Sequence, residues 1–137
     1  MKRSPLVPAL LIVGCGLMAL PSTAVGGTPA ELLAAYTQEA GTAPDPARGQ
    51  KLFTTNFGKD LDLACSSCHG REPTGTGKHA LSDKKIAPLA PAYNPARFTD
   101  RKKVDGWFKD NCKDVVGREC SVGEKADVLA WLMTFKR

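Results

Sequence analysis

The chain has 137 residues, 24% of them charged, and carries a formal net charge of +5. That is one domain's length. The positive balance is mild; it suits docking to an acidic partner and is too weak to specify nucleic acid. Five cysteines in so short a chain make cysteine usage the sharpest compositional signal.

Lys2 and Arg3 precede an apolar run, LVPALLIVGCGLMAL, which proline and glycine interrupt and which is short for a membrane-spanning helix. Small residues at Ser22, Ala24 and Gly26 follow. This is the layout of an export signal, with cleavage expected after Ala24 or Gly26. Residues 1–26 are therefore read as the signal and 27–137 as the mature domain. The alternatives are a retained anchor, or lipidation at Cys15, which closes the small-residue stretch IVGC. Removing Lys2 and Arg3 lowers the formal charge from +5 to +3. Export implies the oxidising bacterial periplasm, where Cys112 and Cys120, an even pair, are expected to form a disulfide. Closing so small a loop stabilises by roughly 2–3 kcal/mol in the chain-entropy model.

The first helix opens on TPAELLAAY, with Thr28 as N-cap, Pro29 at the first helical position and Glu31 completing a capping box. Gly41 ends it. Asp45 and Pro46 repeat the device for a second helix with Leu52, Phe53 and Phe57 inward. Residues 70–97 are rich in Gly, Pro and Lys. Pro88, Pro91 and Pro95 exclude a helix there. An ordered loop is expected, turning Ile86 and Leu89 inward and wrapping a cofactor. The third helix lies in FTDRKKVDGWFKDNCKDVVG, its apolar positions Val104, Trp107, Phe108 and Val115 fitting a 3.6-residue period. Asn111 falls on that face. A second capping box, Ser121 and Glu124, starts the last helix, whose expected buried stripe is Val122, Ala126, Leu129, Ala130 and Met133. No segment reads as a strand.

Cys65-Ser66-Ser67-Cys68-His69 has the spacing of c-type haem attachment. Two thiols so placed add across the two vinyl groups of one haem, and the adjoining imidazole reaches the iron. A thioredoxin-like redox pair would sit in a βαβ setting, which this chain lacks. A zinc site would need four ligands, and the spare candidates are few. The other axial ligand is open. Methionine is common in electron carriers, but Met1 and Met18 lie in the signal and Met133 on a core stripe. His79 stands in a Gly- and Lys-rich loop and reads as a surface residue. Asn111 is a further candidate, either as a hydrogen-bonding residue near the helix end or as an iron ligand through its side-chain oxygen. Its amide, on a buried face, needs a partner, since an unpaired buried polar group costs about 1–3 kcal/mol.

With DNCKDVVGREC in view, the chain resembles, across nearly the whole mature domain, the SHP-type (sphaeroides haem protein) monohaem cytochromes c, which are related to cytochrome c″. The resemblance runs through TPAELLAAY, ARGQKLF, CSSCHG, IAPLAP, RFTD, DNC, VGREC and GEKADVLAWL, and is loosest over residues 71–85. It implies an all-α, class-I cytochrome c-like fold: about four helices around one covalently bound haem, with a Pro-rich loop and one disulfide. It carries the haem c thioethers to Cys65 and Cys68, the proximal iron ligand to His69, the distal ligand to Asn111 and the disulfide to Cys112 and Cys120. It further implies a high-spin ferric haem. The electron partner it implies is a dihaem cytochrome c or a membrane cytochrome b. Release of Asn111 on reduction, opening a place for O2, NO or CO, is the expectation from the chemistry of an amide donor. A plain electron shuttle and a small O2 or nitrogen-oxide reductase are the competing readings.

Overall fold

The structure, a computed structural model, describes residues 27–59 and 62–137. The expected signal at 1–26, with Cys15, lies outside the described residues. Among the described residues five helices and one small hairpin follow in order: α1 (Pro29–Ala40), α2 (Pro46–Thr54), α3 (Cys65–His69), β1 (Gly77–Lys78), β2 (Lys85–Ile86), α4 (Arg101–Val116) and α5 (Val122–Leu132). The four expected helices are present. The fifth, α3, is the Cys-x-x-Cys-His segment itself wound into a short turn. The hairpin is a departure from the sequence reading: β1 and β2 pair antiparallel, Gly77 opposite Ile86. Two-residue strands are too short to leave an alternating pattern.

Local signals set the helix ends. The Thr28 hydroxyl accepts from the Glu31 N–H at 3.2 Å and donates to the Glu31 carboxylate at 2.9 Å, so Glu31 meets the hydroxyl instead of reaching back to the Thr28 backbone. Gly41 closes α1 in the left-handed conformation. Asp45 caps α2 by accepting from the Ala47 and Arg48 N–H groups. At α5 the Ser121–Glu124 box is complete in both directions.

The core lies where α5 packs on α1 and α2. Leu32 and Tyr36 of α1, Phe53 of α2 and Leu129, Trp131 and Leu132 of α5 are buried together. The expected α5 stripe holds at Ala126 and Leu129 but is too narrow: Asp127, Val128, Trp131 and Leu132 are buried as well. Val122, Ala130 and Met133 are only half-buried. A helix covered by neighbours on several sides buries more than one stripe.

Two features hold α2 against α5. Gly49 faces the α5 backbone so closely that a Cβ there would overlap the carbonyl oxygen of Asp127. Asp127, 6% exposed, accepts from the Asp45 N–H at 2.6 Å and from Arg48 Nε and Nη2 at 2.8 and 2.9 Å. A buried carboxylate is tolerable only with such full pairing. On the opposite side, Asp105 of α4 accepts from the Tyr36 hydroxyl at 2.8 Å, Lys125 Nζ at 2.7 Å and Arg101 Nε at 3.2 Å, tying α4 to α1 and α5. Arg101 also pairs with Glu39.

Gly49→Ala is expected to cost at least about 3 kcal/mol, because backbone must move to admit the methyl; urea denaturation of the haem-loaded protein measures it, and a midpoint equal to wild type would contradict the crossing described. A second expectation concerns pH. The Arg118 guanidinium holds the Glu124 carboxyl below its ordinary 4.5, against the opposing effect of burial and with help from the Ser121 N–H. The folded pKa is depressed, so this contribution is complete above 4.5 and is lost as pH falls through the folded value. The melting temperature of Glu124→Gln should therefore fall less than that of wild type between about pH 5 and about pH 3.

Candidate functional site

The site begins with α3. Ala64 closes its N-terminal end by donating its N–H to the Ser67 hydroxyl at 3.0 Å. One helical turn then brings Cys65, Cys68 and His69 to one side. All three line a cavity of about 370 Å³ between α2, α4, α5 and the Pro-rich loop. Both thiols are free. Burial pushes the Cys65 thiol up to about 11, so it stays protonated at neutral pH. Burial, with the nearby charge of Arg97, brings His69 down to about 4, which keeps the imidazole neutral and its lone pair available. Phe53 packs beside His69, with ring centroids 6.1 Å apart, and is backed by Trp131 at 4.8 Å.

The hairpin buttresses this turn. At Gly77 a Cβ would overlap the carbonyl oxygen of Cys68, and the Ala80 N–H reaches Cys68 Sγ at 3.4 Å. The Pro-rich segment forms the next wall. Pro73, fully buried, accepts from the Leu89 and Ala90 N–H groups, which draws Ile86 and Leu89 to the cavity as expected. Phe98, at φ +60° and buried, turns the chain from this wall into α4, whose N-cap is Asp100.

Helix α4 lines the cavity with buried and partly exposed apolar residues alike. Val104, Cys112 and Val116 are buried. Trp107, Phe108, Asn111 and Val115 line the cavity, and Trp107 is 43% exposed. The face anticipated from periodicity is thus cavity wall, and Val104, Phe108 and Val115 on it also pack against buried core residues. Asn111 stands on the same cavity as Cys65, Cys68 and His69. Directly after it, Cys112 is disulfide-bonded to Cys120, as expected, pinning the end of α4 to the approach to α5.

The other ligand candidates lie elsewhere. His79 is exposed at the hairpin turn, where its Nδ1 accepts from the Leu81 and Ser82 N–H groups, and it does not line the cavity. Met133 packs against the core cluster. Reading the sequence did not single out Arg97, which also lines the cavity; within NPARFTD nothing distinguishes it from a surface arginine.

The cavity fits haem on its own chemistry. Its volume lies in the range of small-molecule sites. Its walls are mostly aliphatic and aromatic, two free thiols stand at the attachment spacing, and a neutral imidazole adjoins them. A small helical domain built round such a turn defines a c-type cytochrome.

Comparison with known proteins agrees. Residues 39–132 match a family model described as a domain of unknown function, DUF1924. The chain is 45% identical over 118 residues to the cytochrome c-type protein SHP of Cereibacter sphaeroides, an alignment covering 85% of this chain and 91% of that protein. It is 42% identical over 96 residues to cytochrome c″ of Methylophilus methylotrophus, covering 67% and 65% of the two chains. The structure of oxidised SHP, described as an oxygen-binding cytochrome c, superposes with a TM-score of 0.74 at 44% identity over 80% of this chain and 99% of that one. The chain belongs to the SHP-type monohaem cytochromes c, within the DUF1924 family, and its cofactor is haem c.

Proposed function

We propose that this chain is an exported redox haem protein in which Cys65 and Cys68 carry the thioethers, His69 and Asn111 hold the iron, and Asn111 is the ligand that leaves on reduction. The observation that carries this reading is the shared cavity: His69 from α3 and Asn111 from α4 line the same walls as the two free thiols. The haem supplies a one-electron iron centre when bound. His69, held neutral by burial, offers its imidazole nitrogen. Asn111 offers an amide oxygen, a hard, neutral and weak donor that suits ferric iron better than ferrous. With haem bound, release of Asn111 would leave room for a diatomic ligand, O2, NO or CO, to which the amide NH₂ could donate. The Cys112–Cys120 disulfide limits this motion to the side chain by fixing the backbone beside Asn111.

The SHP of the matched structure is an oxygen-binding cytochrome c. The same role is proposed for this chain, with residues 1–26 as the export signal, 27–137 as the cytochrome c domain and the periplasm as its place. No described helix is long and apolar enough to cross a membrane. A dihaem cytochrome c or a membrane cytochrome b is the proposed electron partner. Ligand binding is favoured over dedicated reduction of O2 or a nitrogen oxide because the cavity lining, among the described residues, includes no carboxylate and does not include His79.

The ferric protein is expected to give high-spin optical and EPR spectra, and the reduced protein a spectral change on addition of CO. Asn111→His should convert the ferric spectrum to low-spin while leaving haem content unchanged. A wild-type ferric spectrum that is low-spin, together with a reduced form indifferent to CO, would remove Asn111 as a releasable ligand and leave a plain electron shuttle.

A further inference from the structure

Among the described residues that line the cavity there is one cation and no carboxylate. That cation is Arg97, just before α4. Its Nε donates to the Pro88 carbonyl at 3.2 Å and its Nη2 to the Ala87 carbonyl at 3.0 Å. Its guanidinium stacks on the Trp107 ring, 5.0 Å from the centroid. These contacts hold the head group at the cavity wall and satisfy some of its five donors, but none of them neutralises its charge.

The contrast with the other structured arginines is informative. Arg48, Arg101 and Arg118 each pair with a carboxylate, which raises their pKa values, and Arg71 and Arg137, which enter none of the ion pairs, are exposed to solvent. None of the ion pairs among the described residues includes Arg97. Burial alone acts on it, and its pKa is lowered. Leaving a half-buried cation without a counter-ion is unfavourable unless a ligand brings the negative charge. Haem brings two carboxylates on flexible propionate arms.

We propose that Arg97 is a positioning residue whose guanidinium pairs with a haem propionate, so that one side chain links the cofactor to the Pro-rich loop and to the helix that carries Asn111. The loop link runs through the Ala87 and Pro88 carbonyls. The helix link runs through Trp107, one turn before Asn111 on α4. A guanidinium suits this task because its planar fork can donate to carbonyls and a carboxylate together while its face lies on an aromatic ring.

The proposal rests on the haem reading of the cavity, and the test separates the two. Arg97→Gln keeps hydrogen-bonding capacity and removes the charge; Arg97→Lys keeps the charge and loses the fork. Haem content by pyridine haemochrome is measured in each. Midpoint potential and the resonance Raman propionate bending mode are then compared at one pH. Arg97→Gln is expected to lower the potential, since losing a nearby cation favours the ferric state, and to shift the propionate mode. Arg97→Lys is expected to retain the wild-type potential even if its melting temperature falls. Equal loss of thermal stability in both variants, with potential and propionate mode unchanged, would overturn the proposal and leave Arg97 as a brace for the loop. If Arg97→Gln accumulates no haem-loaded protein, the wild-type propionate mode decides. A mode that stays constant as pH falls through the ordinary carboxylate range of about 4–5 supports the pairing; one that titrates there as a free carboxylate overturns it. Wild-type protein without covalent haem would sink the haem reading itself.

Discussion

The approach of α2 to α5 at Gly49 is the constraint from which the rest of the structure follows. With no side chain at that position, the two backbones meet, and the buried carboxylate of Asp127 can reach Asp45 and Arg48 at the start of α2. That spacing lets Phe53 on the next turn of α2 contact both Trp131 of α5 and the imidazole of His69. A wider crossing would leave His69 without its aromatic backing. The imidazole's low pKa, which depends on burial, would relax as well. The position of one methyl-sized gap thus reaches, through two aromatic rings, to the group that adjoins the cofactor.

The haem motif is supported from the other side by elements with little regular structure. Gly77 again permits backbone contact, here between the hairpin and Cys68, and Pro73 gathers the Leu89 and Ala90 amides. These are backbone interactions, so the identity of most side chains in residues 70–97 is free to vary while the wall stays in place. Such freedom is consistent with the resemblance to related cytochromes being loosest over residues 71–85.

Charge is distributed unevenly between the cavity and the outside of the bundle. Away from the cavity, acidic and basic groups are paired around Asp105, Asp127 and Glu124; Asp105 and Asp127 each fasten one helix to another, and Glu124 holds the turn after α4 to the start of α5. Among the described residues, the cavity keeps one cation between apolar walls. In such a low-dielectric setting a single charge influences a redox centre more than the same charge would in water, so the composition of the lining bears on reduction as well as on binding.

Much of this was readable from the chain itself. The caps at Thr28, Asp45 and Ser121, the three prolines from Pro88 to Pro95 and the Cys-x-x-Cys-His spacing depend on neighbouring residues, and local chemistry specifies them. The pairing of Cys112 with Cys120 followed from counting cysteines in a chain whose start reads as an export signal. The hairpin was not legible, because two-residue strands carry no periodicity. The extra burial along α5 was not legible either, since it depends on helices arriving from elsewhere in the chain. Periodicity placed Trp107, Phe108, Asn111 and Val115 on one face of α4, but it could not distinguish a face that packs on protein from one that lines a cavity. Nor could it separate Arg97 from the other arginines, because being unpaired is a property of surroundings. The sequence by itself determined the helices, the attachment motif and the candidate ligands, all set by contacts within a few residues. Only the tertiary structure decided that Asn111 shares a cavity with His69, that His79 does not, and that one cation stands among those walls, because each depends on where distant segments meet.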